Sequence, residues 1–209
     1  MAMSNYFSVL IWPLQAQAAL EKFASGKIIV IATLTPENMA RDAARQHLRL
    51  ALSEFLAAAF HSPAEQLRIT SVIAEGVKVS IGDVDVHIST SHESGISVAA
   101  ISGLGRIGVD IMRIDLPVDW QDVARLYFGE RRTTTLIATA KPHQAPVFAQ
   151  YWTQLEATLK CAGCALTEYE TQITPEFSDK LKDIYVCPLD VTNGYTASLA
   201  LQGKKHPPH

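Results

Sequence analysis

Residues 106–112 read Arg-Ile-Gly-Val-Asp-Ile-Met, and residues 151–160 read Tyr-Trp-Thr-Gln-Leu-Glu-Ala-Thr-Leu-Lys. The first run is apolar and β-branched around Asp110, which predicts a buried strand that carries one carboxylate. The second run predicts a helix, and its Glu156 and Lys160 share one helix face because they are four residues apart. A strand carboxylate opposite that face would complete a small oxygen site beside a cation. Such a site suits Mg²⁺ and a phosphate-bearing ligand.

Each of these charged residues also has an ordinary structural interpretation. A lone strand Asp more often caps a turn, since burying an unpaired carboxylate is expensive. An exposed i, i+4 pair contributes only a few tenths of a kcal/mol. However, the helix is apolar on much of its circumference, which favours a cleft for Glu156 and Lys160. Strand alternation also places Gly108 on the face of Asp110, which predicts room there for a bulky ligand.

Composition excludes several classes of protein. The chain has 209 residues, of which 48% are hydrophobic and 19% charged, so it can build a core and is not disordered. Its net charge of −3 gives no general attraction to nucleic acid or to an anionic membrane, and we expect neither partner. A polyanionic ligand would therefore need a local cluster of basic residues.

The cysteines and the N-terminal region predict a cytoplasmic protein. Three cysteines, at positions 161, 164 and 187, do not form an even disulfide framework and fit a reducing compartment. No run approaches the ~20 apolar residues of a membrane span. The apolar stretch at 6–14 is interrupted by Pro13 and follows no Lys or Arg, which argues against an export signal.

The first half of the chain combines one long helix with several strands. An apolar run at 27–34 predicts a strand, and residues 35–37, Thr-Pro-Glu, have the composition of a helix start. This helix is predicted to continue to Phe60 with a buried face formed by Ala44, Leu48, Ala51, Phe55 and Ala59. Further strands are predicted at residues 67–74, 77–81, 84–89, 96–102 and 107–114.

The second half has a similar content. The glycine-containing segment 103–105 is a candidate link, and it is followed by a helical stretch at 120–140 and a loop at 141–143. A helix at 146–161 and strands at 184–189 and 195–201 complete the pattern. We therefore predict an α+β fold of two similar lobes, 1–103 and 104–209, each with a long helix packed on a small antiparallel sheet.

These runs together resemble the 4′-phosphopantetheinyl transferase superfamily, in particular its two-lobed type. The resemblance rests on Gly-Val-Asp at 108–110 and on Trp152, Glu156 and Lys160 roughly forty residues later. The run Ile-Ser-Thr-Ser-His-Glu-Ser at 88–94 stands where two-lobed members carry a Ser-His strand end. The similarity extends over about residues 33–160. It implies two pseudo-symmetric α+β lobes with the active site in the cleft between them.

The resemblance also implies roles for individual residues. Asp110 and Glu156 would be the Mg²⁺ ligands, with the pyrophosphate of coenzyme A on the metal, and Glu156 is a candidate base for the incoming hydroxyl. Lys160 would neutralise phosphate, as catalytic residue and as part of the coenzyme A site. Ser91 and His92 would belong to the coenzyme A site, with His92 against the 3′-phosphate.

One arginine of the first long helix would complete the coenzyme A site. Arg41, Arg45 and Arg49 are spaced to share one helix face, which by itself is typical of a solvated surface. The Ala-Arg-x-x-Leu-Arg pattern at 44–49 resembles a family helix that contributes an arginine to the phosphates. We predict that Arg45 or Arg49 has this role.

The sequence departs from the family pattern at three places. Met112 stands where many relatives have a second acid, which predicts a weaker metal site. Leu155 stands where the family usually has a lysine, so we expect this position to face the cleft. A Gly-Lys-Pro element before the Ser-His strand is absent. These departures favour an alternative, a non-catalytic relative that binds coenzyme A or a carrier domain.

Three other motifs are predicted to be coincidental. The Gly-x-Gly-x-x-Gly pattern at 103–108 leads into a strand and not into a helix, so it lacks the geometry of a dinucleotide site. Cys161 and Cys164 form a Cys-x-x-Cys pair at a helix C-terminus, where the helix dipole does not activate a thiol. Ser94 lacks the flanking glycines of a nucleophile elbow.

The sequence thus predicts a cytoplasmic, monomeric, Mg²⁺-dependent enzyme. It would transfer the 4′-phosphopantetheine arm of coenzyme A to a serine of an acyl or peptidyl carrier protein, as in fatty acid, polyketide or nonribosomal peptide biosynthesis. Arg125, Arg131 and Arg132 are candidates for docking the acidic carrier. Besides the binding-only relative, an unrelated coenzyme A- or nucleotide-binding domain with chance motif matches is a third hypothesis.

Overall fold

The computed structural model describes residues 7–63, 68–72, 76–81 and 84–203. The elements in chain order are β1 (Phe7–Ile11), α1 (Ala16–Gly26), β2 (Ile28–Leu34), α2 (Arg41–Phe60), β3 (Arg68–Val72), β4 (Gly76–Ile81), β5 (Val84–Glu93), β6 (Ile96–Ser102), β7 (Ile107–Arg113), α3 (Trp120–Tyr127), α4 (Gly129–Ala138), α5 (Lys141–Ala162), α6 (Tyr169–Gln172), α7 (Pro175–Leu181), β8 (Ile184–Asp190) and β9 (Tyr195–Gln202). This mixture of helices and a sheet confirms the predicted α+β class. None of the helices described is long and apolar enough to span a bilayer.

The strands form one nine-stranded sheet in the order β3-β4-β5-β6-β2-β1-β8-β9-β7. Neighbouring strands are antiparallel except at β1, which runs parallel to β2 and to β8. The sequence analysis did not predict β1. Its two pairings connect the strands of the first half to those of the second, so the sheet continues through both halves of the chain.

The helix α2 begins later than the sequence predicted. The Thr35–Glu37 helix start is wrong, because these residues belong to a turn that is bonded elsewhere. The Thr35 amide donates to the Gly95 carbonyl at 3.0 Å, and the Met39 amide donates to the Pro36 carbonyl at 3.0 Å. The helix therefore begins at Arg41.

The predicted apolar face of α2 is confirmed. Four of its five residues are buried, and Ala59 is half-buried against the same cluster; the four are Ala44, Leu48, Ala51 and Phe55. Phe55 makes edge-to-face contacts with Trp12 and with Phe23 of α1, with ring centroids 5.6 and 5.5 Å apart. Such pairs add stability beyond the area they bury, so α1, which the sequence analysis missed, secures α2 against the sheet.

The helix α5 lies on β7 and β9. The predicted loop at 141–143 is wrong, because α5 already begins at Lys141 and Pro142 occupies its first turn. Proline is suited to that position because the first amides of a helix have no intrahelical acceptor. Between the helix and β9, the hydroxyls of Thr153 and Ser198 are 3.0 Å apart and buried.

Gly108 serves this packing and not the space for a ligand that the sequence analysis expected. A Cβ at position 108 would overlap the carbonyl oxygen of Ala157 and lie 2.6 Å from the amide nitrogen of Cys161. Both atoms belong to the backbone of α5. Only glycine permits α5 to approach β7 this closely, and that approach sets the position of the charged residues on α5.

An aromatic cluster covers the other side of α5. The helical stretch predicted at 120–140 is confirmed as α3 and α4, which pack on α5 through Phe128, Phe148 and Trp152. The centroids of Phe128 and Phe148 are 5.4 Å apart, and the rings of Phe148 and Trp152 are stacked at 6.3 Å. The strands β8 and β9 confirm the two predicted near the end. The ends of the predicted 67–74 strand lie outside the described residues.

Candidate active site

The carboxylate of Asp110 lies in the middle of β7 and is almost completely buried, with 8% of its side chain exposed. Two donors meet at its Oδ1 atom: the Ser91 hydroxyl at 2.7 Å and the Lys160 ammonium at 2.7 Å. A buried carboxylate is tolerated when it is paired and hydrogen-bonded. Asp110 is therefore a paired site residue and not the turn cap of the ordinary interpretation.

Two serines of β5 support β7 at this point. Ser89 and Ser91 are two residues apart, so their side chains share one face of the strand. The Ser89 hydroxyl accepts a hydrogen bond from the Val109 amide at 3.0 Å, while Ser91 donates to Asp110. These contacts hold β5 against β7. The Ser91 hydroxyl, which we expected to serve coenzyme A directly, is engaged with the carboxylate although its side chain also borders the cavity described below.

Lys160 reaches β7 from the last turn of α5. Besides Asp110, its ammonium donates to the carbonyl of Val109 at 3.2 Å. Its side chain is 31% exposed and borders the same cavity. The sequence analysis placed Lys160 on a phosphate, and it did not foresee this direct ion pair with the strand carboxylate.

Glu156 lies one helical turn before Lys160 and is electrostatically coupled to the same group. Burial raises the pKa of the Glu156 carboxyl, and the negative charge of Asp110 raises it further, against the opposing effect of Lys160. Two carboxyl groups thus face one region beside a single ammonium. Carboxylate oxygens are the ligands that Mg²⁺ prefers, so this donor set fits the ion. In the part of the chain described, no group of three or more His, Cys, Asp or Glu residues could hold a metal.

A cavity of about 400 Å³ adjoins these charges. It is lined by cationic and polar side chains of α2, β5 and α5 and by buried aliphatic side chains. The first set comprises Arg41, Arg45, Arg49, Thr90, Ser91, His92 and Lys160, and the second Leu48, Leu52, Leu56, Val79 and Ile88. The cavity combines an apolar floor with several positive charges, which suits a ligand that joins a flat or apolar group to phosphates.

His92 faces this cavity in its neutral form. Its Nδ1 atom is 2.9 Å from the Ser97 hydroxyl. Burial lowers the pKa of His92, and the positive charges of Arg45, Arg41, Lys160 and Arg49 add to this effect, so that the pKa is about 4. A phosphate among these groups would offset the positive charges and favour the protonated ring.

The structure thus brings all the predicted site residues around one region. Asp110, Glu156 and Lys160 form the charged centre, and the residues predicted for coenzyme A surround the adjacent cavity: Ser91, His92, Arg45 and Arg49. Arg45 also pairs with the exposed Asp42 at 3.2 Å. The aliphatic floor was missed, although the Leu48, Leu52, Leu56 spacing on α2 could have indicated a second apolar stripe beside the arginine row.

The position of Leu155 corrects the sequence analysis. We expected it to face the cleft, but it is 7% exposed and packs in the aromatic cluster with Phe128 and Phe148. Met112 packs against the same cluster. Adjacent helix positions point about 100° apart, so Leu155 faces away from the site when Glu156 faces it. Two of the three departures from the family pattern, Met112 and Leu155, therefore lie in one apolar environment.

The arginines proposed for carrier docking are partly compensated. Arg125 forms an ion pair with Asp122 at 2.8 Å, and the Arg132 guanidinium lies 5.0 Å from the centroid of Tyr151. Burial raises the pKa of the Cys161 thiol to about 12, which disfavours its thiolate. The glycine pattern at 103–108 leads into β7, which confirms the predicted strand in place of the helix that follows a dinucleotide fingerprint.

The second half of the chain is similar to a known protein family. Residues 106–207, which include β7, α5 and β9, match the family model of the 4′-phosphopantetheinyl transferase superfamily. This match agrees with the family predicted from the motifs.

A curated relative gives a similar result. The 4′-phosphopantetheinyl transferase HetI of Nostoc sp. (strain PCC 7120 / SAG 25.82 / UTEX 2576) is 28% identical over 95 residues. The alignment covers 44% of this chain and 40% of HetI. The chain thus matches less than half the length of this relative.

Proposed function

We propose that this protein is a two-lobed 4′-phosphopantetheinyl transferase that uses Mg²⁺ and coenzyme A to modify a serine of an acyl or peptidyl carrier protein. The observation that carries the proposal is the meeting of Asp110, Glu156 and Lys160 beside a cation-rimmed cavity. The match of residues 106–207 to the superfamily model supports it. The whole protein would be a cytoplasmic monomer.

The proposed reaction is a phosphoryl-type transfer. The serine oxygen of the carrier attacks the β-phosphorus of coenzyme A, and the bond from that phosphorus to the bridging oxygen breaks. Adenosine 3′,5′-bisphosphate leaves with the bond electrons, and the serine proton passes to a base. Because the charge lies on phosphate oxygens, catalysis of this kind depends on positioning and electrostatic stabilisation.

The residues of this chain would share that work. Asp110 and Glu156 would hold Mg²⁺, which supplies neutralisation of the pyrophosphate charge. Burial raises the pKa of the Glu156 carboxyl, which also favours a role as base. Lys160 and His92 would stabilise phosphate oxygens, and Arg45 or Arg49 would anchor the nucleotide end. The aliphatic floor of the cavity would accept an apolar part of the ligand.

The two halves would contribute different walls of the site. The N-terminal lobe, 1–103, supplies α2 and β5, and the C-terminal lobe, 104–209, supplies β7 and α5. We propose that the cavity lies in the cleft between these pseudo-symmetric lobes. The carrier would approach the second lobe near Arg125, Arg131 and Arg132.

A second candidate function is a relative that binds coenzyme A or a carrier domain without transfer. The apolar environment of Met112 and Leu155 favours it, because two positions that are commonly charged in the family contribute packing here. The cavity would still hold the nucleotide. The two candidates differ only in whether a carrier becomes covalently modified.

The test is incubation of the purified protein with coenzyme A, Mg²⁺ and a panel of apo-carrier proteins, followed by intact-mass analysis. Transfer predicts a carrier that gains the phosphopantetheine mass, and Asp110→Asn or Glu156→Gln should remove the gain. Glu21→Gln, which alters an exposed carboxylate on α1, is the control and should retain it. Coenzyme A binding without modification of any carrier would support the second candidate. Absence of both would overturn both.

A further inference from the structure

The ammonium of Lys160 has one donor left for a ligand. A lysine carries three N–H donors and no acceptor. Two of them are used, one by Asp110 Oδ1 at 2.7 Å and one by the Val109 carbonyl at 3.2 Å. Among the residues that the structure describes, no further acceptor is bonded to this ammonium. Since Lys160 borders the cavity, its third donor is available to a phosphate oxygen there.

The same ammonium is a counter-charge of both carboxyl groups. It is bonded to Asp110, and it lowers the pKa of Glu156 while Asp110 raises it. The arginines of α2 lie along the cavity, and none of them is bonded to either carboxyl group in the described part of the chain. The positive charge of Lys160 therefore acts on the same two carboxyl groups that would hold a metal ion.

We propose that Lys160 is a resident counter-ion that opposes divalent-metal binding until a phosphate-bearing ligand engages its remaining donor. This inference rests on the proposed function. A dication placed beside an ammonium on the same carboxylate meets repulsion, which is strong where water is partly excluded. A phosphate in the cavity offsets the ammonium charge, so the metal and the nucleotide bind in a coupled manner, with the nucleotide favoured first.

An orienting role for Lys160 makes the opposite prediction. If the lysine only holds Asp110 in a rotamer suitable for the metal, its removal should weaken metal binding. If it is a competing counter-ion, its removal should strengthen metal binding to the free protein. The sign of one affinity change therefore separates the two roles.

The experiment measures Mn²⁺ binding to the whole protein without coenzyme A, from the electron paramagnetic resonance signal of free Mn²⁺. Lys160→Met should bind Mn²⁺ at least about 5-fold more tightly than wild type, as expected for a coupling of ordinary size. Arg41→Met is the matched control: it removes a cation that lines the same cavity and is not bonded to Asp110, and it should change the affinity less than about 2-fold.

A second variant and a second ligand complete the test. Lys160→Gln retains an amide donor for Asp110 without the charge, and should also bind Mn²⁺ more tightly if Lys160→Met does not fold. Adding coenzyme A without carrier should raise Mn²⁺ affinity more in wild type than in either variant. Unchanged or weaker Mn²⁺ binding in both variants would overturn the counter-ion role alone. Wild type that binds neither Mn²⁺ nor coenzyme A would overturn the proposed function as well.

Discussion

The phenol of Tyr195 donates a hydrogen bond to the carbonyl oxygen of Ser94 across 2.7 Å. Tyr195 begins β9 and Ser94 lies in the β5–β6 turn, so the bond joins elements of the two halves. Arg113 stacks on the Tyr195 ring at 5.6 Å and pairs with Glu37 at 3.3 Å. The Ser94 hydroxyl donates to the Glu37 carbonyl at 2.7 Å. These contacts connect the turn before α2, with its arginine row, to the end of β7.

Tyr195→Phe should lower the free energy of unfolding by about 1–2 kcal/mol, because the hydroxyl loses its bond to Ser94 and the weaker one from Arg113 while the ring remains. Urea unfolding followed by circular dichroism measures this change. Tyr185→Phe is the control, since Tyr185 is 39% exposed and its hydroxyl makes no recorded hydrogen bond with described residues. Equal stability of Tyr195→Phe and wild type would show that the hydrogen bond from Tyr195 to Ser94 does not stabilise the protein.

Gly108→Ala should destabilise the protein by several kcal/mol, roughly 3 or more, because a Cβ there meets the α5 backbone and the tight packing cannot relax locally. Thermal unfolding gives the size of the effect. Gly26→Ala adds the same methyl group where no atom lies within 4 Å, and should be nearly neutral. If Gly108→Ala proved as stable as Gly26→Ala, the close approach of α5 to β7 would be refuted.

Leu155→Lys should destabilise the protein by about 2–4 kcal/mol, because it places an ammonium among buried aromatic side chains. It should not raise any transferase rate, since the side chain points away from Asp110 and Glu156. Leu155→Met keeps the apolar volume and should cost less than about 1.5 kcal/mol. Chemical denaturation measures the free energy of unfolding of both variants. A Leu155→Lys protein as stable as wild type would indicate that position 155 faces the cleft and tolerates a charge.

The pH dependence of stability should reveal His92. Its pKa is about 4 in the folded protein against an ordinary value of 6.5. As the pH falls, His92 is protonated in the unfolded chain before it is protonated in the folded protein. The contribution of neutral His92 to the free energy of unfolding is therefore complete above pH 6.5 and declines as the pH falls toward 4. Between pH 7 and 5, wild type should lose about 1 kcal/mol more than His92→Gln, after allowance for screening at a half-exposed ring. If the free energy of unfolding changed equally with pH in wild type and His92→Gln, the lowered pKa of His92 would be contradicted.

Addition of a phosphate-bearing ligand extends the same argument. Coenzyme A among His92 and its cationic neighbours should raise the pKa of the ring, so binding near pH 6 should be accompanied by proton uptake. Calorimetry in two buffers of different ionisation enthalpy measures that uptake. His92→Gln should abolish this proton uptake.

Local periodicity made much of the fold predictable. The buried face of α2 follows from apolar residues at helical spacing, and β6 and β7 follow from short β-branched runs. The errors lie where contacts with distant residues determine the local structure. The Thr35 amide donates to the Gly95 carbonyl, so no helix begins there. The five-residue β1 is stabilised by its pairing with β2 and β8. A short run has too little periodicity to identify such pairings.

The sequence by itself determined which residues carry charge and which faces are apolar, because Asp110, Glu156, Lys160 and the α2 arginines lie at periodic positions of strongly patterned elements. Only the tertiary structure decided which charges meet. It placed the Lys160 ammonium on Asp110 through the glycine contact at position 108, and turned Leu155 into the aromatic cluster. Contacts between residues about fifty positions apart depend on how whole elements pack, and no local pattern encodes that distance.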